Sequence, residues 1–274
     1  MKNILIPTDL TNCTKNTINY AISLGAKFNT KLFFYHTSEK QRIDNREYII
    51  GFIKKSFSDL KINFNDFQIE FITETGDFSN QKLIKLSEKY VIDLIIMGAS
   101  NEGIKTTFFG SHVSDLINDL NCPVLSIPHE YSNVNINSIG FASELFDLRL
   151  KIKEIIPFAK LLNATIEIFH VYPVFPQYVD IKTFDIEKEL ARTIIQNNYN
   201  KINLHLIKTS FDNETVTGIM EFVKSYKPDM LVLCHKPRGI FDKFLLDFGK
   251  TISVVKSSPI PVLAFNHISA CKIM

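Results

Sequence analysis

Short apolar, β-branched runs alternate along this chain with longer segments of helical period. In the first half, residues 4–7 and 32–36 read as strands. Between them, residues 14–28 place Ile18, Ala21, Ile22, Leu24 and Gly25 on one helix-like face. A helical stretch around 48–60 follows, then 67–73 as strand and 80–90 as helix. Residues 93–97 show almost no polar alternation, which suits a strand buried on both faces. A helix over 111–120 and a strand over 124–127 complete the set. Strand and helix in strict alternation predict an α/β unit, a parallel sheet covered by helices on both sides, with binding sites at the carboxyl ends of the strands.

The pattern then repeats. Residues 2–10 align with 137–145, and both segments close on an acid followed by leucine, Asp9-Leu10 and Glu144-Leu145. Residues 32–37 match 166–171, with His36 and His170 in equivalent places, residues 93–98 match 229–234, and 123–125 match 261–263. The anchors keep one order at offsets between 134 and 138. This is a tandem duplication, with domains expected over 1–130 and 136–270 and a polar linker at 129–137. Domains joined this closely are expected to pack on each other as the subunits of a dimer do.

Composition narrows the class. Of 274 residues, 45% are hydrophobic and 22% charged, with ten glycines and ten prolines, which excludes collagen-like and disordered chains. A formal charge of +2 without a basic cluster argues against nucleic acid as a partner. Cys13, Cys122, Cys234 and Cys271 are too scattered for a zinc or thiol–disulfide motif, so free thiols are expected. With no apolar run of membrane-span length and no secretory leader, the expectation is a cytoplasmic protein without a membrane partner.

Candidate chemistry concentrates after the strand at 93–97. Gly98-Ala99-Ser100-Asn101-Glu102-Gly103 leads through a short loop to Gly110-Ser111 at the start of a helix. Amides at a helix start favour an anion, glycines let phosphate oxygens approach the backbone, and Ser100 and Ser111 offer hydroxyls. The alternative stays open: Gly98 only turns the chain and Ser111 only caps a helix. Asp9, just past the first strand, is placed at the same sheet edge, either to accept hydrogen bonds from a base or ribose or, with Thr11, to cap the next helix. His36 and His170, within apolar strands, read as hydrogen-bonded structural residues and not as bases.

Pro7-Thr8-Asp9, His36-Thr37, the run from Asp93 to Gly98, Gly110-Ser111 and Cys122-Pro123-Val124-Leu125 together resemble the universal stress protein family. The resemblance spans nearly the whole chain as two tandem domains, the second more degenerate. It implies, for each domain, a five-stranded parallel sheet flanked by helices, similar to the adenine nucleotide hydrolase-like fold. It also implies domain pairing or a homodimer, and in one branch of the family ATP binding through Gly, two residues, Gly, nine residues, then Gly and Ser or Thr. Carried over, Gly98 is the first glycine and Gly110-Ser111 the end of the motif. Asn101 stands in place of the middle glycine, with eight residues and not nine before Gly110. The same resemblance sets Asp9, after Pro7, against adenosine, Thr37 and Met97 at the base, and Val113 and Ser114 beyond the phosphates.

In the second half, Cys234 replaces the first glycine and Glu144 the aspartate, while Lys236, Arg238, Lys243 and Lys250 either attract an anion by charge alone or form a solvated basic face. No ATP in the standard pose is expected there. Nucleophile elbow, Walker loop and metal-ligand pair are all missing, so no catalytic or metal residue is assigned and at most slow ATP hydrolysis is expected. The resemblance thus implies a stress-response protein with a regulatory ATP site, with Mg²⁺ as a companion ion, acting on an unknown protein partner. Its rival is a nucleotide-free tandem scaffold of the same fold.

Overall fold

The computed structural model describes residues 1–38, 45–99, 116–117, 120–143, 145, 148–173, 183–209, 215–235 and 248–266. They fall into two compact units, one built on Met1–Val134, with which residues 264–266 cluster, and one built on Asn135–Leu263.

The first unit has strands β1 Asn3–Pro7, β2 Lys31–Ser38, β3 Ile69–Thr75, β4 Leu94–Gly98 and β5 Val124–Ile127. Its helices are α1 Asn12–Phe28, α2 Asn45–Asp59 and α3 Asn80–Lys89, and Leu116 and Ile117 are also helical. The strands lie in the order β3-β2-β1-β4-β5 and every recorded pair is parallel. This order makes β1 central, with the connections turning back between β1 and β4, so the topological switch point falls there. Ile4, Leu5 and Ile6 of β1 and Ile95 and Ile96 of β4 have no solvent exposure. That burial on both faces explains why these runs lack polar alternation.

The strand expected at 67–73 instead spans Ile69–Thr75. Phe64–Asp66 forms a 3-10 turn whose Asn63 side chain accepts from Asn65 N, and Phe67 closes that turn. The apolar character of Phe67 serves an edge contact with Phe57, ring centroids 5.0 Å apart, and not a strand. Helix α1 stops at Asn29, which takes the left-handed conformation (φ 51°) and donates its N–H to Gly25 O.

The second unit repeats the plan, with β6 Ser138–Ala142, β7 Thr165–Pro173, β8 Ile202–Thr209, β9 Met230–His235 and β10 Val262–Asn266 in the order β8-β7-β6-β9-β10. Its helices are α4 Leu148–Leu162, α5 Thr183–Asn197, α6 Thr215–Tyr226 and α7 Phe248–Ser257. Asn163, after α4, matches Asn29 with φ 55°. At the amino edge of each sheet an aspartate clamps the central strand. Asp93 Oδ2 accepts from Lys2 N (2.6 Å) and Asn3 N (3.0 Å), and Asp229 Oδ2 accepts from Asn137 N (2.7 Å) and Ser138 N (3.0 Å). Among the described residues no helix is long and apolar enough to cross a membrane.

Candidate functional site

The chain leaving β1 is fixed by its own side chains. Thr8 N donates to Tyr35 O (2.9 Å), and Thr8 Oγ1 accepts from Leu10 N (3.1 Å), holding Leu10 at φ 59°. A leucine in that region costs about 1 kcal/mol, so the turn is held in place by its bonds. Asp9, half-buried, accepts at Oδ1 from Thr11 N (3.0 Å) and Thr11 Oγ1 (2.8 Å). Thr11 stands at the N-cap of α1 but makes no side-chain bond to the helix amides. Neither residue is a side-chain cap of α1; Thr11 donates its hydroxyl to Asp9 and fixes the carboxylate at the strand end. Among the described residues Asp9 Oδ2 makes no hydrogen bond.

Pro7 alters the sheet beside this turn. Thr8 N faces β2, so by alternation the position of Pro7 N faces β4, and proline has no N–H to give. The β1–β4 ladder accordingly registers only Ile4↔Leu94 and Leu5↔Ile95. In the second unit Ala142 holds the equivalent place, and the β6–β9 ladder runs on through Ile139↔Met230, Gly140↔Leu231, Phe141↔Val232 and Ala142↔Leu233. The hydrogen-bond ladder between the central strands therefore stops short of their carboxyl ends in one unit and runs on in the other.

Across the switch point, Met97 is buried on the rung of Ser126, and Gly98 ends β4 opposite Ile127. A Cβ on Gly98 would lie 3.1 Å from Thr17 Oγ1, so this glycine has a packing reason as well as any functional one. Thr37, half-buried near the end of β2, pairs with Glu74. Tyr35 hydroxyl donates to Glu74 Oε2 (3.1 Å), and burial first, then the Glu74 charge and this bond, push the phenol above its ordinary value of 10.0. Nearby, Lys82 Nζ donates to Asp77 O (2.9 Å) and lies 3.7 Å from Glu74. His36 is hydrogen-bonded through Nδ1 to Thr8 O at 2.8 Å, as a structural histidine would be.

The fold therefore brings Pro7, Asp9, Thr37, Met97 and Gly98 to the carboxyl ends of three neighbouring strands, β2, β1 and β4. Ser100, Asn101, Gly110, Ser111, Val113 and Ser114 lie outside the described residues, as do Glu144, Lys236, Arg238 and Lys243. In the second unit Cys234 is buried, at the place of Gly98. Gly249, Lys250 and Thr251 lie inside helix α7, with Thr251 buried. Among the described residues no group of three His, Cys, Asp or Glu is arranged to hold a metal ion.

Several features escape a reading of the residues alone. The doubled aspartate clamp and the doubled hydroxyl turns (Leu145 N to Ser143 Oγ, 3.1 Å) are signalled only by equal offsets between the halves. A pair particular to the second unit, Glu167 Oε2 with His205 Nε2 at 2.6 Å, carries no sequence signal, since the partners are 38 residues apart.

Residues 1–128 match the model of the universal stress protein family. No curated protein sequence matches the chain. Among solved structures, the chain is similar to a functionally unknown protein from Pseudomonas aeruginosa, at 13% identity over 100% of this chain and 97% of that one, with a TM-score of 0.68. It is likewise similar to a universal stress protein from Archaeoglobus fulgidus, at 20% identity over 96% of each chain, with a TM-score of 0.63. At these identities the likeness is one of fold. Residues 1–128 thus carry the match to the universal stress protein family, and over nearly its whole length the chain is similar in fold to a universal stress protein.

Proposed function

We propose that the chain is a cytoplasmic stress-response protein whose N-terminal unit binds an adenine nucleotide, ATP with Mg²⁺, as a regulatory ligand at the carboxyl ends of β2, β1 and β4. The observation that carries this reading is the interrupted β1–β4 ladder, which ends at Leu5↔Ile95 in the first unit while the β6–β9 ladder continues to Ala142↔Leu233. Ligands of open α/β sheets sit in the crevice at the switch point, and here the ladder between the two strands that border it stops short of that end. The groups around it suit a nucleotide. Asp9, oriented by Thr11, would accept from ribose hydroxyls, Thr37 and Met97 would border the base, and Gly98 would begin a phosphate loop. Ser100, Asn101, Gly110, Ser111, Val113 and Ser114 would complete that loop. Mg²⁺, arriving with the phosphates, would neutralise part of their charge. Ordering of this loop by the nucleotide would change the surface offered to a protein partner.

In the second unit, the Cys234 thiol and the completed β6–β9 ladder argue against the same pose. The scaffold reading draws on one observation, the approach of Gly98 to Thr17, which gives that glycine a use without any ligand. Calorimetric titration of the nucleotide-stripped chain with ATP and Mg²⁺, with AMP for comparison, separates the two. One site per chain, weakened at least about tenfold in Asp9→Ala, supports the nucleotide reading, because a lost hydrogen bond to a carboxylate is worth that much. No heat and no thermal stabilisation at millimolar ATP retires it in favour of the scaffold. Asp9→Ala is the sharper variant, since Gly98→Val also disturbs Thr17.

A further inference from the structure

Each unit carries the same latch at the carboxyl end of its central strand. Thr8 N donates to Tyr35 O and Ser143 N to Phe169 O, both at 2.9 Å. Leu10 (φ 59°) and Leu145 (φ 63°) are the left-handed residues that follow. On the far side of the turn, His36 Nδ1 lies 2.8 Å from Thr8 O, and His170 Nδ1 lies 2.8 Å from Ser143 O. A carbonyl oxygen only accepts, so in both histidines Nδ1 carries the proton. That is the minor tautomer of a free neutral imidazole, and it is selected here by the carbonyl. The Thr8 carbonyl belongs to the peptide group that ends at Asp9 N. Turning that plane turns the Asp9 Cα and the carboxylate with it.

We infer that His36 is a positioning residue: its Nδ1–H locks the Thr8–Asp9 peptide so that the Asp9 carboxylate is presented at the strand edge. The role deepens the nucleotide reading and rests on it for its functional consequence. In this role the histidine need not touch a ligand. The duplication supplies the control, because His170 makes the same bond in the unit that is not expected to hold ATP.

The test uses the full chain. Asparagine offers a side-chain N–H near the place of Nδ1, whereas leucine offers none. His36→Leu is expected to weaken ATP·Mg²⁺ binding by about 3- to 10-fold, the worth of one hydrogen bond, with His36→Asn recovering most of the loss. His170→Leu is expected to lower the unfolding temperature comparably and to leave the affinity unchanged. Imidazole nitrogen shifts should report the Nδ1–H tautomer at both positions. Unchanged affinity in His36→Leu, equal loss in His170→Leu, or an Nε2–H tautomer at His36 would overturn the inference. If the unaltered chain binds no ATP, the nucleotide reading falls by itself, and amide exchange at Leu10 then judges the latch. Faster exchange in His36→Leu but not in His36→Asn supports it, and equal exchange in all three chains refutes it.

Discussion

The same substitution, glycine to alanine, is expected to act with opposite sign at two helical positions of this chain. In α6, a Cβ on Gly218 would lie 2.4 Å from Val171 Cγ1 and 2.7 Å from Thr209 Cγ2. Both neighbours are β-branched strand residues with stiff χ1, so neither methyl can swing aside and helix and sheet must part. Forcing a methyl into such a contact costs about 2–3 kcal/mol, and the gain in helix propensity returns about 0.8 kcal/mol. The net for Gly218→Ala is a loss of about 1–2 kcal/mol. In α2, Gly51 is exposed, with nothing within 4 Å of a built Cβ, so Gly51→Ala keeps the whole propensity gain, about 0.8 kcal/mol of stabilisation. Urea unfolding followed by circular dichroism should place the two variants on either side of the unaltered chain. Removing the obstructing methyls supplies a further check. Gly218→Ala combined with Val171→Ala should lose less than the sum of the single losses, by about 0.5 kcal/mol or more. Strict additivity, or two variants shifted in the same direction, would refute the claim that the Val171 and Thr209 methyls exclude a side chain at Gly218.

Three further outcomes follow from the contacts. Asp93→Ala leaves the Lys2 and Asn3 amides to water and should lower the urea midpoint by an amount equivalent to about 1–2 kcal/mol, with Asp93→Asn intermediate. The Tyr35 phenol, held above its ordinary value of 10.0, keeps its proton in the folded chain after the unfolded chain has lost it. Its contribution to stability is therefore full below pH 10 and declines as pH rises past it. Tyr35→Phe should flatten that alkaline loss in a pH series of thermal unfolding. Ala142→Pro removes the donor that extends the β6–β9 ladder and should cost about 1–3 kcal/mol by urea unfolding, while Pro7→Ala should change stability by less than about 1 kcal/mol.

Periodicity carried the architecture because the central strands are buried on both faces. Runs such as Ile4-Leu5-Ile6 and Ile95-Ile96 can be little else in a chain of alternating helices. The duplication was legible for the same reason, since core positions repeat at fixed offsets. The position of β3 was less so: Phe67 looks like strand but packs on Phe57 beneath a 3-10 turn, a contact that local pattern cannot encode. At the candidate site, strand-end placement of Asp9, Thr37 and Gly98 was readable from order alone. Two matters were not. Whether Asp9 would cap a helix or be held by Thr11 depends on a turn of a few ångströms, and the effect of Pro7 depends on which neighbour its missing N–H would have faced. Gly98 is the instructive case, because a glycine in a phosphate motif and a glycine pressed against Thr17 are spelled alike.

The aspartate clamps also set a timetable for synthesis. Asp93 is 90 residues from the Asn3 amide it holds, and Asp229 is 91 from Ser138. The first strand to leave the ribosome in each half is thus the middle of its sheet, and its amino end cannot be secured until the fourth strand has emerged. At about 5–20 residues per second, roughly 5–18 s pass with an apolar central strand that has only one permanent neighbour available. During that interval β1 must be sheltered by β2 and α1, or by a chaperone, and the same exposure recurs when β6 is made. A chain of this design meets its greatest risk of mispairing twice, each time about 90 residues before relief arrives.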